Sequence, residues 1–339
     1  MTSLAQRPAL AWTLAVVSLL AVLACAFCAG KYPIALSDLL RAVVAALTRS
    51  ESDLSESAKT VLWNIRLPRI AAGVLVGAVL GAAGSAYQCM FRNPLVSPDI
   101  LGVCAGAGLG AAAAIFLGLP LALVQALAFA GGLLSVATVA VVSGMVRRHD
   151  PVLVLVLAGV AVGALLGAGI SLLKLLADPY SQLPGITFWL MGGLNAVTSS
   201  DVLATLPAAL LGLVPLALLR WRMNVLSLSD EEALSLGVNV RQLRRILIAA
   251  ATLGTAAAVS LAGMVGWVGL VVPHIARLLV GPAFSRLLPA SLILGAGFIV
   301  AADTLARTLA PIELPLGILT ALVGAPFFLI LLARSGRAP

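Results

Sequence analysis

The chain has 339 residues, of which 61% are hydrophobic and 10% charged, with a mean hydropathy of +1.12 and a net charge of +8. A soluble chain carries about 25% charged residues, so this composition excludes a large soluble core and marks a polytopic membrane protein. The basic excess is almost all arginine, scattered among connecting segments, with Lys31, Lys59 and Lys174 the only lysines; that pattern fits membrane topology and not a nucleic-acid surface.

A membrane crossing needs about 20 apolar residues. In chain order the apolar runs predict about ten crossing helices in one domain spanning the chain, at 9–29, 68–90, 99–118, 121–145, 152–176, 201–220, 246–265, 267–281, 287–309 and 315–333. The first run follows Arg7 and contains Ala24-Cys25-Ala26, a weak echo of a signal peptide. Its length and the many runs after it favour an uncleaved first span. Cys25 and Cys28 lie inside that run, and with Cys89 and Cys104 they read as packing residues rather than redox or metal ligands.

Residues 31–65 alternate apolar and polar positions like a surface helix. Residues 177–200 carry Pro, Gly and the interface-seeking aromatics Tyr180 and Trp189. Three runs hold glycines four apart: Gly73, Gly77 and Gly81; Gly102, Gly106 and Gly110; Gly159, Gly163 and Gly167. Each ladder smooths one helix face, for close helix packing, to line a path for a bulky solute, or as a sliding surface.

Placing the N-terminus in the cytoplasm puts 13 basic residues inside and 8 outside, the bias expected of inner loops. The inner set is Arg7, Arg92, Arg147, Arg148, Arg220, Arg222, Arg241, Arg244, Arg245, Arg277, Arg286, Arg334 and Arg337. The insert 220–245 then lies in the cytoplasm. It holds eight charged residues in 26 positions and reads as helix, turn, helix. Ser229 with Asp230, Glu231 and Glu232 forms a helix start, Gly237 a stop, and Asn239 a second cap. The second helix is expected to be short, with Arg241, Arg244 and Arg245 near its negative end. Ala233, Leu234, Leu236, Val238, Val240 and Leu243 supply apolar surface that needs a cover.

No phosphate-binding G-x-x-x-x-G-K-[ST] loop, catalytic triad or metal-ligand cluster is present. His149 lies in a loop beside Arg148 and Asp150, His274 in VVPHIAR reads as structural or hydrogen-bonded to a helix end rather than as a ligand, and no cofactor is expected. The blocks YQCMFRNPLVSPDILGVCAGAGLG (87–110), GMVGWVGLVVPHIARLLVG (263–281), ADTLART (302–308) and ELPLGILTALVGAPFF (313–328) resemble the FecCD-type permease subunits of binding-protein-dependent ABC importers, which carry ferric siderophores, haem and cobalamin.

That resemblance implies an all-α subunit of about ten transmembrane helices in a bacterial inner membrane, usually paired as a homodimer. It implies two ATP-binding cassette ATPase subunits on the inner face, a periplasmic binding protein on the outer face, and no ATP site in the permease itself. Residues 229–245 match the family's cytoplasmic coupling helices, with Ser229, Glu231, Glu232, Ala233, Leu236 and Gly237 as coupling positions. Arg66, Arg69 and Arg307 match its docking arginines, with Asp303 one turn from Arg307 to hold it. Gly159, Gly163 and Gly167 are expected on the translocation path. The function implied is import of an iron complex, with cobalamin as the alternative cargo. A proton- or sodium-coupled transporter would need ionisable residues near midplane, and a membrane enzyme would need clustered polar groups at the interface; neither pattern is visible.

Overall fold

The computed structural model describes residues 8–49, 54–146 and 151–335, and among these there is no strand. Arg7, Glu51, Asp53, Arg147, Arg148, His149, Asp150 and Arg337 lie outside the described residues, as does the side chain of Arg334.

Each of the ten apolar runs carries a helix. The chain opens with α1 (Pro8–Cys28) and α2 (Leu36–Thr48). The short α3 (Glu56–Lys59) runs through a π-helical stretch, Thr60–Arg66, into α4 (Leu67–Met90). A 3₁₀ turn at Pro98–Leu101 leads to α5 (Val103–Phe116), followed by α6 (Leu121–Met145) and α7 (Pro151–Leu176). Next come α8 (Gln182–Met191), α9 (Ser199–Leu218), α10 (Arg220–Met223) and α11 (Asp230–Ser235). The last four are α12 (Val240–Ala262), α13 (Val268–Val280), α14 (Phe284–Ala306) and α15 (Leu316–Ser335).

Seven of the described helices are long and apolar enough to cross a membrane, fewer than the ten crossings expected. With 14 and 13 residues, α5 and α13 reach about 20 Å at 1.5 Å per residue, short of a hydrocarbon core of about 30 Å. Local chemistry shortens them. Gly102 and the 3₁₀ turn take the first residues of the α5 run, and α13 is bounded by the non-helical residues 263–266 with Trp267 before it and by the stop at Gly281 after it. The described apolar part of α15, Leu316–Ile330, is also shorter.

Burial sorts the long helices into centre and rim. The apolar windows of α4 and α12 are 78% and 72% buried, whereas those of α1, α7 and α9 are each 17% buried. The centre is built from small residues because lipid tails are as apolar as leucine, so helices associate by close fit rather than by escape from water. α4 and α14 cross where a Cβ on Gly77 would collide with the Gly295 carbonyl, and one on Gly295 with the Gly77 carbonyl. Ser85 donates to Ser291 Oγ at 2.7 Å across the same pair, and the Tyr87 and Thr252 hydroxyls share a bond of 3.1 Å between α4 and α12.

The three glycine ladders have different neighbours. Gly77 and Gly81 face the α14 backbone, while Gly106 and Gly110 face the backbone of α6 at Gly131 and Leu127. The third ladder splits. Gly159 abuts the Ile100 carbonyl, but Cβ atoms on Gly163 and Gly167 would meet nothing within 4 Å.

Candidate functional site

At 24 residues, α4 is about 36 Å long, and polar groups gather at both of its ends. At the C-terminal end lies the insert. The Ser229 hydroxyl accepts the Glu232 N–H at 3.2 Å, while the Glu232 carboxylate accepts the Ser229 N–H at 2.9 Å and its hydroxyl at 2.8 Å. This reciprocal box satisfies donors that a helix start leaves free. The Ser229 backbone N–H, followed by the hydroxyl, holds the Glu232 carboxyl below its ordinary value of 4.5. A depressed carboxyl contributes stability above the unfolded value and loses it as pH falls through the folded one, so the box weakens only in acid.

After Leu236 the chain turns at Gly237, whose φ of 76° lies in the left-handed region that glycine adopts freely. The turn closes with Val238 N–H donating to the Ala233 carbonyl at 3.0 Å. Asn239 Oδ1 then accepts the Gln242 N–H at 3.0 Å. The helix it caps is not the short one expected: residues 240–245 are the first turns of the 23-residue α12. No Gly, Pro or cap separates Arg245 from Ile246, and Val240, Leu243 and Leu247 keep one buried stripe across the join.

Arg241, Arg244 and Arg245 therefore sit toward the positive end of a helix dipole, the reverse of the expected placement. Asp230 offsets this, accepting from Arg244 in two bonds of 3.0 Å and from Arg92 at 3.1 Å. Arg92, in the loop after α4, also donates to the carbonyls of Leu226, at 2.7 Å, and Leu228. Asn224 accepts the Phe284 N–H at the start of α14 at 2.7 Å. The insert is thus fastened to α4, α12 and α14 together. Sequence reasoning missed Arg92, Asn224 and the role of Asp230, since nothing in local spacing points from one to another.

The apolar surface of the insert is narrower than expected. Ala233, Val240 and Leu243 are buried with Met223 and Leu226 and seat α11 on the bundle. Leu234 and Leu236 are 68% and 62% exposed, beside exposed Glu231 and Gly237. Ser229→Ala is expected to weaken α11 by about 1 kcal/mol through loss of its cap. Amide exchange across 230–236 would read this as faster exchange at neutral pH, and unchanged rates would show that the box does not hold the helix.

The N-terminal end of α4 carries the second polar group. Arg69, buried, donates from Nε to both Asp303 oxygens at 2.9 Å, and from its other nitrogens reaches Asp303 and Glu313, each at 2.9 Å. Asp303 was expected to hold Arg307 and does pair with it, at 3.8 Å, though its shorter contacts go to Arg69. Arg307 also donates to the carbonyls of Ala29, at 2.9 Å, and Ala26, and Arg66 donates to those of Phe27 and Tyr32. Both guanidinium groups thus cap the last turn of α1, where helix carbonyls lack partners and the dipole is negative. The structure brings the three arginines together, all three buried within the subunit. Of this cluster Glu313 reaches the surface, with a side chain 35% exposed.

A cavity of about 340 Å³ is lined by Arg69, Glu313, Trp189, Asn195, Gly263 and their neighbours. Its wall includes the irregular turn after α8, where Gly193 N–H donates to the Ala262 carbonyl at 2.8 Å and the Gly192 carbonyl accepts from Leu316 at 3.0 Å. These protein partners satisfy backbone groups that the irregular turn would otherwise leave unpaired. His274 lies outside both polar ends and meets Phe327 edge-on at 5.9 Å between ring centroids.

Comparison with known proteins gives consistent results. The model of the FecCD transport family matches residues 17–334. The cobalamin import system permease protein BtuC of Halobacterium salinarum is 46% identical over 278 residues, covering 82% of this chain and 74% of that protein. A Helicobacter pylori protein named as a permease of an iron chelatin transport system is 43% identical over 283 residues, covering 82% and 84%. An inward-facing structure described as a metal-chelate type ABC transporter superposes with a TM-score of 0.85 at 34% identity, covering 96% of this chain and 99% of that one.

Proposed function

The chain belongs to the FecCD transport family and is an ABC importer permease, a transport subunit and not an enzyme, and from that premise we propose that it carries an iron complex, haem or a ferric siderophore, from the periplasm across a bacterial inner membrane. The observation that carries the mechanism is the insert. A short capped helix exposes Leu234 and Leu236 while its underside is fastened to three helices. A partner that grips this knob moves α4, α12 and α14 as one, which is what an ATPase subunit needs in order to drive a permease that binds no nucleotide itself. Ser229 and Glu232 set the angle of the knob, Ala233 seats it, and Glu231, Leu236 and Gly237 meet the ATPase.

In this reading two copies of the chain pair over two ATPases. The open α7 face at Gly163 and Gly167 lines the path, and Gly159 fixes that helix against the 3₁₀ turn. The binding protein docks on the face braced by Arg66, Arg69 and Arg307. Because Arg69 is already paired, an acidic group of the docking lobe engages it by displacing Glu313, the exposed member of the cluster. The cobalamin reading stands second, supported by the 46% identical relative. Names among the relatives extend to hemin and molybdate, so the scaffold does not by itself select the cargo.

Leu234→Asp with Leu236→Asp alters exposed side chains only. The pair is expected to abolish ATP-driven uptake while leaving the subunit folded; undiminished uptake would remove the coupling assignment. Cargo is decided by reconstituting the subunit with its ATPase and binding protein in liposomes and comparing uptake of haem, a ferric siderophore and cobalamin. ATP-dependent uptake of cobalamin alone would replace the iron reading.

A further inference from the structure

The segment between α1 and α4 contains a helix with three distinct faces. At 100° per residue, Leu39, Ala42 and Ala45 of α2 fall on one side and are buried. Leu36, Leu40, Val43, Val44 and Leu47 fall within an arc of about 100° on the other side, and all are exposed, Leu40 by 58%, Val44 by 57% and Leu47 by 80%. Ser37, Arg41 and Thr48 form a third, polar row beside that arc. A helix covered only by protein and water needs two faces. The third, apolar face is left without a partner among the described residues.

The depth of α2 identifies what covers it. With 21 residues, α1 is about 31 Å long, matching a hydrocarbon core of about 30 Å, so its last turn sits at the edge of that core. The buried side of α2 packs at that level: Leu39 and Ala42 share one cluster with Phe27 and Cys28, the final residues of α1. Tyr32, 43% exposed, stands in the link between the two helices, at the level where amphipathic rings settle. Val17 and Leu20 of α1 are likewise more than half exposed, so α1 also presents apolar surface outward.

We propose that α2 is an interfacial helix that lies along the bilayer surface, with Leu36, Leu40, Val43, Val44 and Leu47 set into the headgroup and acyl boundary. Leu39, Ala42 and Ala45 fasten it to the bundle, and Ser37, Arg41 and Thr48 face water and headgroups. The helix sits where protein, lipid and water meet, and each face matches one of the three. It anchors the end of α1 that Arg66 and Arg307 cap, so the bilayer surface holds the rim of the polar cluster in register. The assignment rests on α1 crossing the membrane and not on the identity of the cargo.

The test introduces p-benzoylphenylalanine, one site at a time, in place of Leu40, Val44 or Leu47 of the full chain. Arg41 serves as the water-facing control and Leu20 of α1 as the membrane control. Every replaced side chain is exposed, so packing is undisturbed. The protein is placed in nanodiscs of phosphatidylethanolamine and phosphatidylglycerol, irradiated and analysed by mass spectrometry. Phospholipid adducts at positions 40, 44 and 47, several-fold above position 41, are expected. Adducts to a second polypeptide at those positions, or lipid yields no higher than at 41, would overturn the interfacial assignment. Absence of lipid adducts at position 20 would overturn the membrane placement of α1, and the assignment of α2 with it.

Discussion

Asp303→Asn is expected to lower the stability of the subunit by about 3 kcal/mol, because it leaves the Arg69 guanidinium buried against a neutral amide. Three of the four 2.9 Å contacts holding that guanidinium go to Asp303 and the fourth to Glu313, and the Arg69 and Asp303 side chains are almost wholly enclosed. Breaking a buried pair by removing one charge costs far more than the pair itself contributes, and here the remaining charge keeps only the partly exposed Glu313 as its ionic partner. Removing both charges should therefore recover most of the loss: Arg69→Met with Asp303→Leu is expected to melt well above Asp303→Asn alone, a strongly non-additive result. Glu313→Gln behaves differently. Its side chain is 35% exposed, and exposed pairs contribute about 0–1 kcal/mol, so stability should hold while Arg69 becomes easier for a partner's carboxylate to reach. Thermal midpoints of the variants in one nanodisc preparation, with binding-protein affinity at low ionic strength, separate the two roles. An Asp303→Asn protein that melts like wild type but no longer docks would make the pair a docking element and not a brace.

The same residues show which parts of the molecule were legible in one dimension. Apolar runs became helices because a crossing segment must satisfy its backbone within itself, and that need is written locally. The capping box at Ser229 and Glu232 and the stop at Gly237 were also legible, being contacts three to five residues apart. The polar cluster was not. Spacing favours Asp303 with Arg307, one turn away, yet Asp303 lies 2.9 Å from Arg69 and 3.8 Å from Arg307. The carbonyls that hold Arg66 and Arg307 belong to the end of α1, far off in sequence. An arginine at an outer helix end signals that something negative is near, but not whether it is a partner protein, a headgroup or the exposed carbonyls of another helix. In α12 two local signals conflict: Arg241, Arg244 and Arg245 favour an ending, but the absence of any breaker before Ile246 is the stronger, and the helix continues.

Gly77→Ala and Gly163→Ala are expected to have opposite effects on stability, although both glycines belong to ladders of identical spacing. A methyl group at Gly77 meets the Gly295 carbonyl and its neighbouring backbone atoms. Backbone cannot rotate aside as a side chain can, so α4 and α14 must separate along their whole crossing. The cost should be about 3 kcal/mol, at the upper end for overpacking, with the loss of close contacts that lipid does not replace. A methyl group at Gly163 meets nothing within 4 Å, and alanine in a helix is favoured over glycine by about 0.5–1 kcal/mol, so this variant should be as stable as wild type or slightly more so. Equal losses from both substitutions would mean that the face of α7 is closed by contacts within the subunit, and the open path there would have to be given up. With stability preserved, uptake then becomes informative. A Gly163→Ala subunit that melts normally but carries cargo more slowly in the reconstituted importer places that face on the route or against the second subunit. Normal melting with normal uptake would place it toward lipid, and Gly163 and Gly167 would then serve neither packing nor passage.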